Sequence, residues 1–159
     1  MILLVTQGHR TVQHHSVLHL SLLLTLFSPL AGSACADDAW PFYRGPHYDG
    51  HAVNSQLADS WPAEGPRVLW VRQAGVGYSS LVAWKGRIAT QWQTLAGQYV
   101  VCLNADTGET VWQYRYAWPY LPGSVYPGPR STPTYWNGRL FFAAPDGLIG
   151  CLDAETGKR

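Results

Sequence analysis

A near-repeat of about fifty residues constrains this chain more than any other feature. Cys102-Leu103-Asn104-Ala105-Asp106-Thr107-Gly108 returns as Cys151-Leu152-Asp153-Ala154-Glu155-Thr156-Gly157, an offset of 49 residues. A second block agrees: Ser79-Ser80-Leu81-Val82-Ala83-Trp84-Lys85-Gly86-Arg87-Ile88 returns as Ser131-Thr132-Pro133-Thr134-Tyr135-Trp136-Asn137-Gly138-Arg139-Leu140, at an offset of 52. The three-residue difference predicts a longer loop in the first copy.

Each copy reads as strand, Lys-Gly or Asn-Gly hairpin, strand, loop, strand, Thr-Gly turn, strand, because the glycines supply the positive φ that such turns need. Four short antiparallel strands per unit describe a propeller blade, so the expected fold class is all-β with about two blades in an incomplete ring. Composition agrees: all eight tryptophans follow residue 36, among many Tyr, Gly and Pro and few charges. Val68-Leu69-Trp70-Val71 reads as a strand with a repeat-like tryptophan but no hairpin before it. In a propeller such a strand completes a blade encoded elsewhere, which here would lie far downstream. The second copy reaches Lys158-Arg159 without the equivalents of Val111-Trp112-Gln113, so it lacks its outermost strand. Further blades are needed to close the ring, and uncovered blade faces favour aggregation of the isolated chain.

A period near fifty also suits kelch repeats, but those usually carry a Gly-Gly doublet, which this sequence lacks. Leu103-Asn104-Ala105-Asp106-Thr107-Gly108-Glu109-Thr110-Val111-Trp112 resembles instead the pyrroloquinoline-quinone-type (PQQ-like) repeat, whose blade typically ends in LDAxTGxxxW. Trp40-Pro41-Phe42-Tyr43-Arg44-Gly45-Pro46-His47-Tyr48-Asp49-Gly50 is similar to the opening of exported PQQ-like propellers found often in planctomycete-type bacteria. Gly128-Pro129-Arg130-Ser131-Thr132-Pro133-Thr134 is similar to the segment that leads into an innermost strand of the same proteins. The resemblance implies a propeller of the quinoprotein alcohol dehydrogenase-like superfamily, with the signature tryptophan docked between adjacent blades. It also implies, for the enzymes of that family, PQQ and calcium in a central channel, a catalytic aspartate and often an adjacent cysteine pair. No adjacent cysteine pair occurs here.

The first residues have a different character. Arg10 and a His-rich stretch precede the apolar run Val17 to Leu30, and Ala34-Cys35-Ala36 makes a small-x-small site. This predicts a signal peptide over 1–36 cleaved between Ala36 and Asp37, an N-terminal extended segment over 37–66 and PQQ-like repeats over 67–159. The apolar run is short for a membrane span, and nothing later could cross a bilayer. The expected location is periplasmic or secreted. Lipidation at Cys35 is the lesser expectation, because Gly32 stands where lipoprotein signals usually carry Leu. Loss of Arg10 with the leader leaves basic and acidic residues in balance, which gives no basic patch for nucleic acid.

Few residues signal chemistry. Cys102 and Cys151 sit at equivalent positions of successive blades, too far apart for a disulfide, and read as small packing residues. Asp106, Asp146 and Asp153 fall in or beside turns, where a carboxylate binds local amides. His47 and His51 flank Asp49, but Gly45, Pro46 and Gly50 deny the helix that would gather them around a metal. The aromatic run Tyr114, Tyr116, Trp118, Tyr120, Tyr126 reads as cover for a blade edge before it reads as a ligand platform. The best binding candidates are Tyr78, Ser79, Arg130 and Ser131, just before the innermost strands, where a ring would open its channel. Arg130 could engage an anion there or fix its own loop through a carbonyl. The leading expectation is a non-catalytic binding or scaffold module for proteins, envelope components or polysaccharide. The alternative is the N-terminal part of a PQQ-dependent alcohol or sugar dehydrogenase whose catalytic residues lie beyond Arg159.

Overall fold

The computed structural model describes residues 2–5, 39–52, 58–121 and 126–159. Ala36, Asp37, Cys35 and the apolar run of the leader lie outside these residues. All regular structure among the described residues is strand, arranged in three antiparallel sheets. The first is a ribbon of β1 (Ile2–Val5) and β2 (Val68–Arg72). The second is a four-stranded blade, β3 (Val82–Trp84), β4 (Arg87–Thr94), β5 (Gly97–Asn104) and β6 (Thr110–Ala117), in sequential order. The third is a blade of three strands, β7 (Thr134–Trp136), β8 (Arg139–Ala143) and β9 (Ile149–Asp153).

Local chemistry explains the equivalence of the two blades. Lys85 and Gly86 have φ of 42° and 71°, and Asn137 and Gly138 have 46° and 74°, the paired positive values of a type I′ hairpin. At the Thr-Gly turns Gly108 N–H donates to Asn104 C=O at 2.9 Å and Gly157 N–H to Asp153 C=O at 2.8 Å. Each turn is tied back to its own hairpin, Ala105 N–H to Gly86 C=O and Ala154 N–H to Gly138 C=O, both at 2.9 Å. The extra length of the first copy lies in β4 and β5, which run on to a tip at Leu95, whereas the second copy turns early through Ala144–Leu148.

The strand pleat sends alternate side chains to opposite faces. Val82, Trp84, Ala89, Val100 and Cys102 of the first blade pack on Leu140, Phe142, Leu152 and Ala154 of the second, with Trp84 stacked on Tyr135 at 4.7 Å. The opposite face of the first blade buries Trp92, Val101 and Leu103 against Trp70 and Ala74. Two indoles repeat one contact. Trp112 Nε1 donates to Ala154 C=O at 3.1 Å, and Trp70 Nε1 donates to Ala105 C=O at 2.9 Å. A Cβ on Gly157 would stand 2.6 Å from the Trp112 ring, and one on Gly108 2.5 Å from the Trp70 ring. Glycine is required there for the approach as well as for φ.

Val68 to Val71 thus behaves as an outermost strand, as the repeat predicts. Its described partner is β1, which falls within the leader expected over 1–36; the blade that the repeat expects it to complete would be encoded beyond Arg159. An outermost strand has one edge to satisfy, and in the uncleaved chain β1 satisfies it.

Candidate functional site

The inner ends of the two blades bring the four candidate residues together. Tyr78 N–H donates to Pro129 C=O at 2.8 Å, and the Tyr78 ring meets Tyr126 edge-on with centroids 5.6 Å apart. Arg130 Nη2 donates to Tyr126 C=O at 2.9 Å, so its guanidinium fixes its own loop. Ser79 Oγ accepts from Gln91 N–H at 3.2 Å and faces Thr90 Oγ1 at 3.2 Å. Ser131 Oγ donates to Ala143 C=O. Ser79 with Gln91 and Ser131 with Ala143 are equivalent pairs at the 52-residue offset, so each blade clasps its innermost strand to its second strand by the same serine.

Gln91 joins the two blades, and sequence reasoning missed it. Its side chain is buried, and Nε2 donates to Ser131 C=O at 2.8 Å, with Ser131 Oγ at 2.9 Å and Ala143 C=O at 3.3 Å. Oε1 has no partner among the described residues. Ser80 N–H adds a second link, to Thr132 Oγ1 at 3.1 Å. The signal available in the sequence was the pair Gln91 and Gln93 around Trp92, polar residues in a strand that must be buried on both faces. Gln93 and Gln98 anchor the aromatic loop in the same manner. Gln93 Nε2 donates to Tyr120 C=O at 3.2 Å and Gln98 Nε2 to Trp118 C=O at 2.9 Å. Tyr114 and Tyr116 lie on Phe142, and burial pushes the Tyr116 hydroxyl above its ordinary range. Tyr114 and Tyr116 thus belong to β6 and pack on the face between the blades, where a loop over a blade edge was expected. Trp118 instead is exposed, with Arg115 lying 4.3 Å from its ring centroid.

The opening motif reaches the innermost strands. Trp40 N–H donates to Ala83 C=O at 2.8 Å and Ala83 N–H to Trp40 C=O at 2.9 Å, while Tyr135 N–H donates to Pro41 C=O at 2.9 Å. Residues 40 and 41 therefore strap β3 to β7 along the edges a channel would expose. Gly45, at φ 84°, lies against the Trp40 ring, where a Cβ would come within 2.7 Å. Phe42 stacks on Tyr48 at 4.8 Å.

Carboxylates occupy turns. Asp153 Oδ1 accepts from Thr156 Oγ1 at 2.7 Å and Thr156 N–H at 2.8 Å, which holds the acid below its usual range. In the first blade Asn104, and not Asp106, takes that place, accepting from Asp106 N–H at 2.8 Å and Thr107 N–H at 3.0 Å. Asp146 Oδ1 accepts from Leu148 N–H at 3.2 Å. Asp49 is held low by His51 N–H, and its Oδ2 lies 3.5 Å from His51 Nδ1. Among the described residues no three His, Cys, Asp or Glu side chains converge. The inner ends offer hydroxyls and an amide already bonded to protein, which does not fit the oxygen-rich, carboxylate-bearing shell of a calcium ion. Cys102 is buried, and desolvation pushes its thiol up to about 12; Cys151 is half-buried, and both are free. No helix of the described residues is long and apolar enough to cross a membrane.

No protein-family model matches the chain. The dehydrogenase subunit of alcohol dehydrogenase (quinone) from Acetobacter aceti is 32% identical over 96 residues, covering 53% of this chain and 12% of that protein. The same subunit from Gluconobacter oxydans (strain 621H) is 39% identical over 61 residues, 35% of this chain and 8% of that protein. The chain thus spans about a tenth of the length of these relatives. Propeller-type blades with partial similarity to quinone-dependent alcohol dehydrogenase subunits are what the fold and the comparisons establish together.

Proposed function

We propose that this chain is an exported, non-catalytic part of a PQQ-like propeller that serves as a binding or scaffold module, its leader cleaved between Ala36 and Asp37. The observation that carries this reading is the strap of Trp40 and Pro41 across the innermost strands of both blades. It closes backbone edges that a cofactor channel would leave open. The serines nearest it spend their hydroxyls inside the protein, and Arg130 is bonded to a carbonyl of its own loop. Such inner walls hold blades together and leave recognition to exposed surfaces such as Trp118 and Tyr78, suited to a protein, envelope or polysaccharide partner.

The similarity to quinone alcohol dehydrogenase subunits favours a second reading. In it the chain is one wall of a dehydrogenase that oxidises an alcohol or sugar, with quinone ligands supplied from outside residues 1–159. Titrating the full chain with PQQ and calcium, followed by tryptophan fluorescence and by dye-linked oxidation of ethanol and glucose, separates the two. The scaffold reading expects no saturable quenching and no dye reduction. Saturable one-to-one quenching with dye reduction would replace it with the dehydrogenase reading. Intact mass of the protein from the envelope and medium of its host checks export, with a start at Asp37 expected.

A further inference from the structure

The outermost strand of the first blade carries a cation that the fold itself does not use. Arg115 stands in β6 opposite Tyr99, which packs with Trp92, Val101 and Leu103, so its side chain leaves the sheet on the face away from Tyr114 and Tyr116. Arg115 pairs with Tyr99 and Ala117 with Gln98, so Tyr116 is the extra residue of a bulge. Beyond that bend Trp118 returns to Arg115, whose guanidinium carbon lies 4.3 Å from the indole centroid.

Both members of the pair are fixed from beneath. Buried Gln98 donates through Nε2 to Trp118 C=O at 2.9 Å, and its Oε1 accepts from the Tyr116 hydroxyl at 3.3 Å. Gly97 leaves the space that the Arg115 side chain fills, since a Cβ there would collide with Nε. Arg115 nevertheless makes no hydrogen bond or ion pair among the described residues. Arg44, Arg72, Arg87 and Arg130 each spend their guanidinium on a carbonyl, a hydroxyl or a carboxylate. Asp146, which acts on the Tyr116 hydroxyl from the other side of the strand, accepts from Leu148 N–H.

A guanidinium stacked on an indole keeps its edge of N–H donors free, the geometry that takes a carboxylate through two parallel bonds. Arg115, Tyr116, Ala117 and Trp118 line a hollow of about 220 Å³, room for one sugar ring. Trp118 is 77% exposed, and the part of its indole that Arg115 leaves uncovered offers a flat apolar surface to the C–H face of a sugar. The blade that carries the pair has sheet on both faces, and its outermost strand looks outward from a propeller, where blades added around the ring do not reach.

We infer that Arg115 and Trp118 form a subsite for a uronate residue of an acidic polysaccharide, the carboxylate on the guanidinium fork and the sugar ring on the indole, which rests on the binding-module reading above and names its partner. One fork with no basic patch around it suits one carboxylate per sugar and not the dense charge of a nucleic acid.

Affinity electrophoresis of the full chain supplies the test. Polygalacturonate or alginate in the gel is expected to retard the protein, and fully methyl-esterified polygalacturonate, which keeps the rings and loses the charge, is expected not to. Arg115→Gln is expected to weaken binding at least about tenfold, and Arg115→Lys, with the charge kept and the fork lost, about threefold. Trp118→Ala is expected to weaken it about threefold. Arg139→Gln, which removes the same charge from the second blade, is expected to leave it unchanged. No retardation by either polyuronate, equal retardation by the esterified polymer, or retardation that survives Arg115→Gln overturns the proposal. Glucuronate is expected to displace the polymer at lower concentration than inorganic phosphate at equal ionic strength; the reverse order overturns the sugar assignment in favour of a phosphate. Saturable quinone binding with dye reduction would remove the scaffold reading itself, whereas these gels bear on Arg115 and Trp118 alone, so the two failures are told apart.

Discussion

The first blade and the second share their hairpins, their Thr-Gly turns and their serine clasps, yet Val100 is fully buried and its counterpart Ile149 is 74% exposed. The difference lies in the neighbours. The first blade has sheet on both sides, the second blade against Val100 and the Trp70 segment against Leu103. Among the described residues the second has a neighbour on one side and three strands. A blade is specified locally by its turns, but its stability comes from the blades that flank it.

Substitutions that exploit this asymmetry give the largest expected effect. Leu103→Ala, in the doubly covered sheet, is expected to cost about 2–5 kcal/mol of unfolding free energy. Ile149→Ala should stay within about 0.5 kcal/mol, as surface changes do. Equal costs in denaturant titrations would show that the second blade is as covered as the first.

The two tryptophan sockets sharpen the comparison next. Gly108→Ala and Gly157→Ala combine a positive φ with contact against an indole ring and should each cost about 1–3 kcal/mol. Gly138→Ala has the same sign of φ and open space around it, so it isolates the backbone share and should cost less. A Gly138 variant as damaged as the other two would remove the sockets from the account.

Between the blades, Gln91→Leu removes the amide shared by Ser131 and Ala143 and should cost about 1 kcal/mol. The loss should fall on the contact between blades. Hydrogen exchange is therefore expected to rise at the amides of Ser131 and Thr132 while those of β5 stay protected.

The cysteines give the smallest effect and the cleanest contrast. Burial pushes the Cys102 thiol up from its ordinary 9.0 to about 12, so between those values the folded state keeps a proton that the unfolded state has lost. Its contribution to stability is intact below pH 9 and declines as pH rises towards 12. Thermal melts from pH 8 to 11 should show the decline, and Cys102→Ala should reduce it. At pH 8 iodoacetamide is expected to label half-buried Cys151 in the folded chain and Cys102 only after unfolding, which timed peptide mass spectrometry would read.

Much of the architecture is legible in the sequence. Lys85-Gly86 and Asn137-Gly138 announce hairpins because only a few residues tolerate the φ they need, and the repeated Ala-x-Thr-Gly announces the turn that receives a tryptophan. The candidate site was legible only in outline. Tyr78, Ser79, Arg130 and Ser131 precede β3 and β7, as their spacing from the hairpins predicts, and a binding role does not follow from that position. Gln91 was marked only by the pairing of two glutamines around Trp92, which does not name the residues of the second blade that it meets. The strap was hidden, because no pattern in Trp40 and Pro41 names the strands they meet more than forty residues away.

The sequence by itself determined the all-β class, the blade unit, its turns and the residues that repeat, since these depend on local backbone preference and on side-chain alternation. Only the tertiary structure decided which equivalent residues are buried, which serine meets which strand, and that an opening segment closes the inner edges. Those outcomes depend on contacts between distant parts of the chain, where identical local sequences find different neighbours.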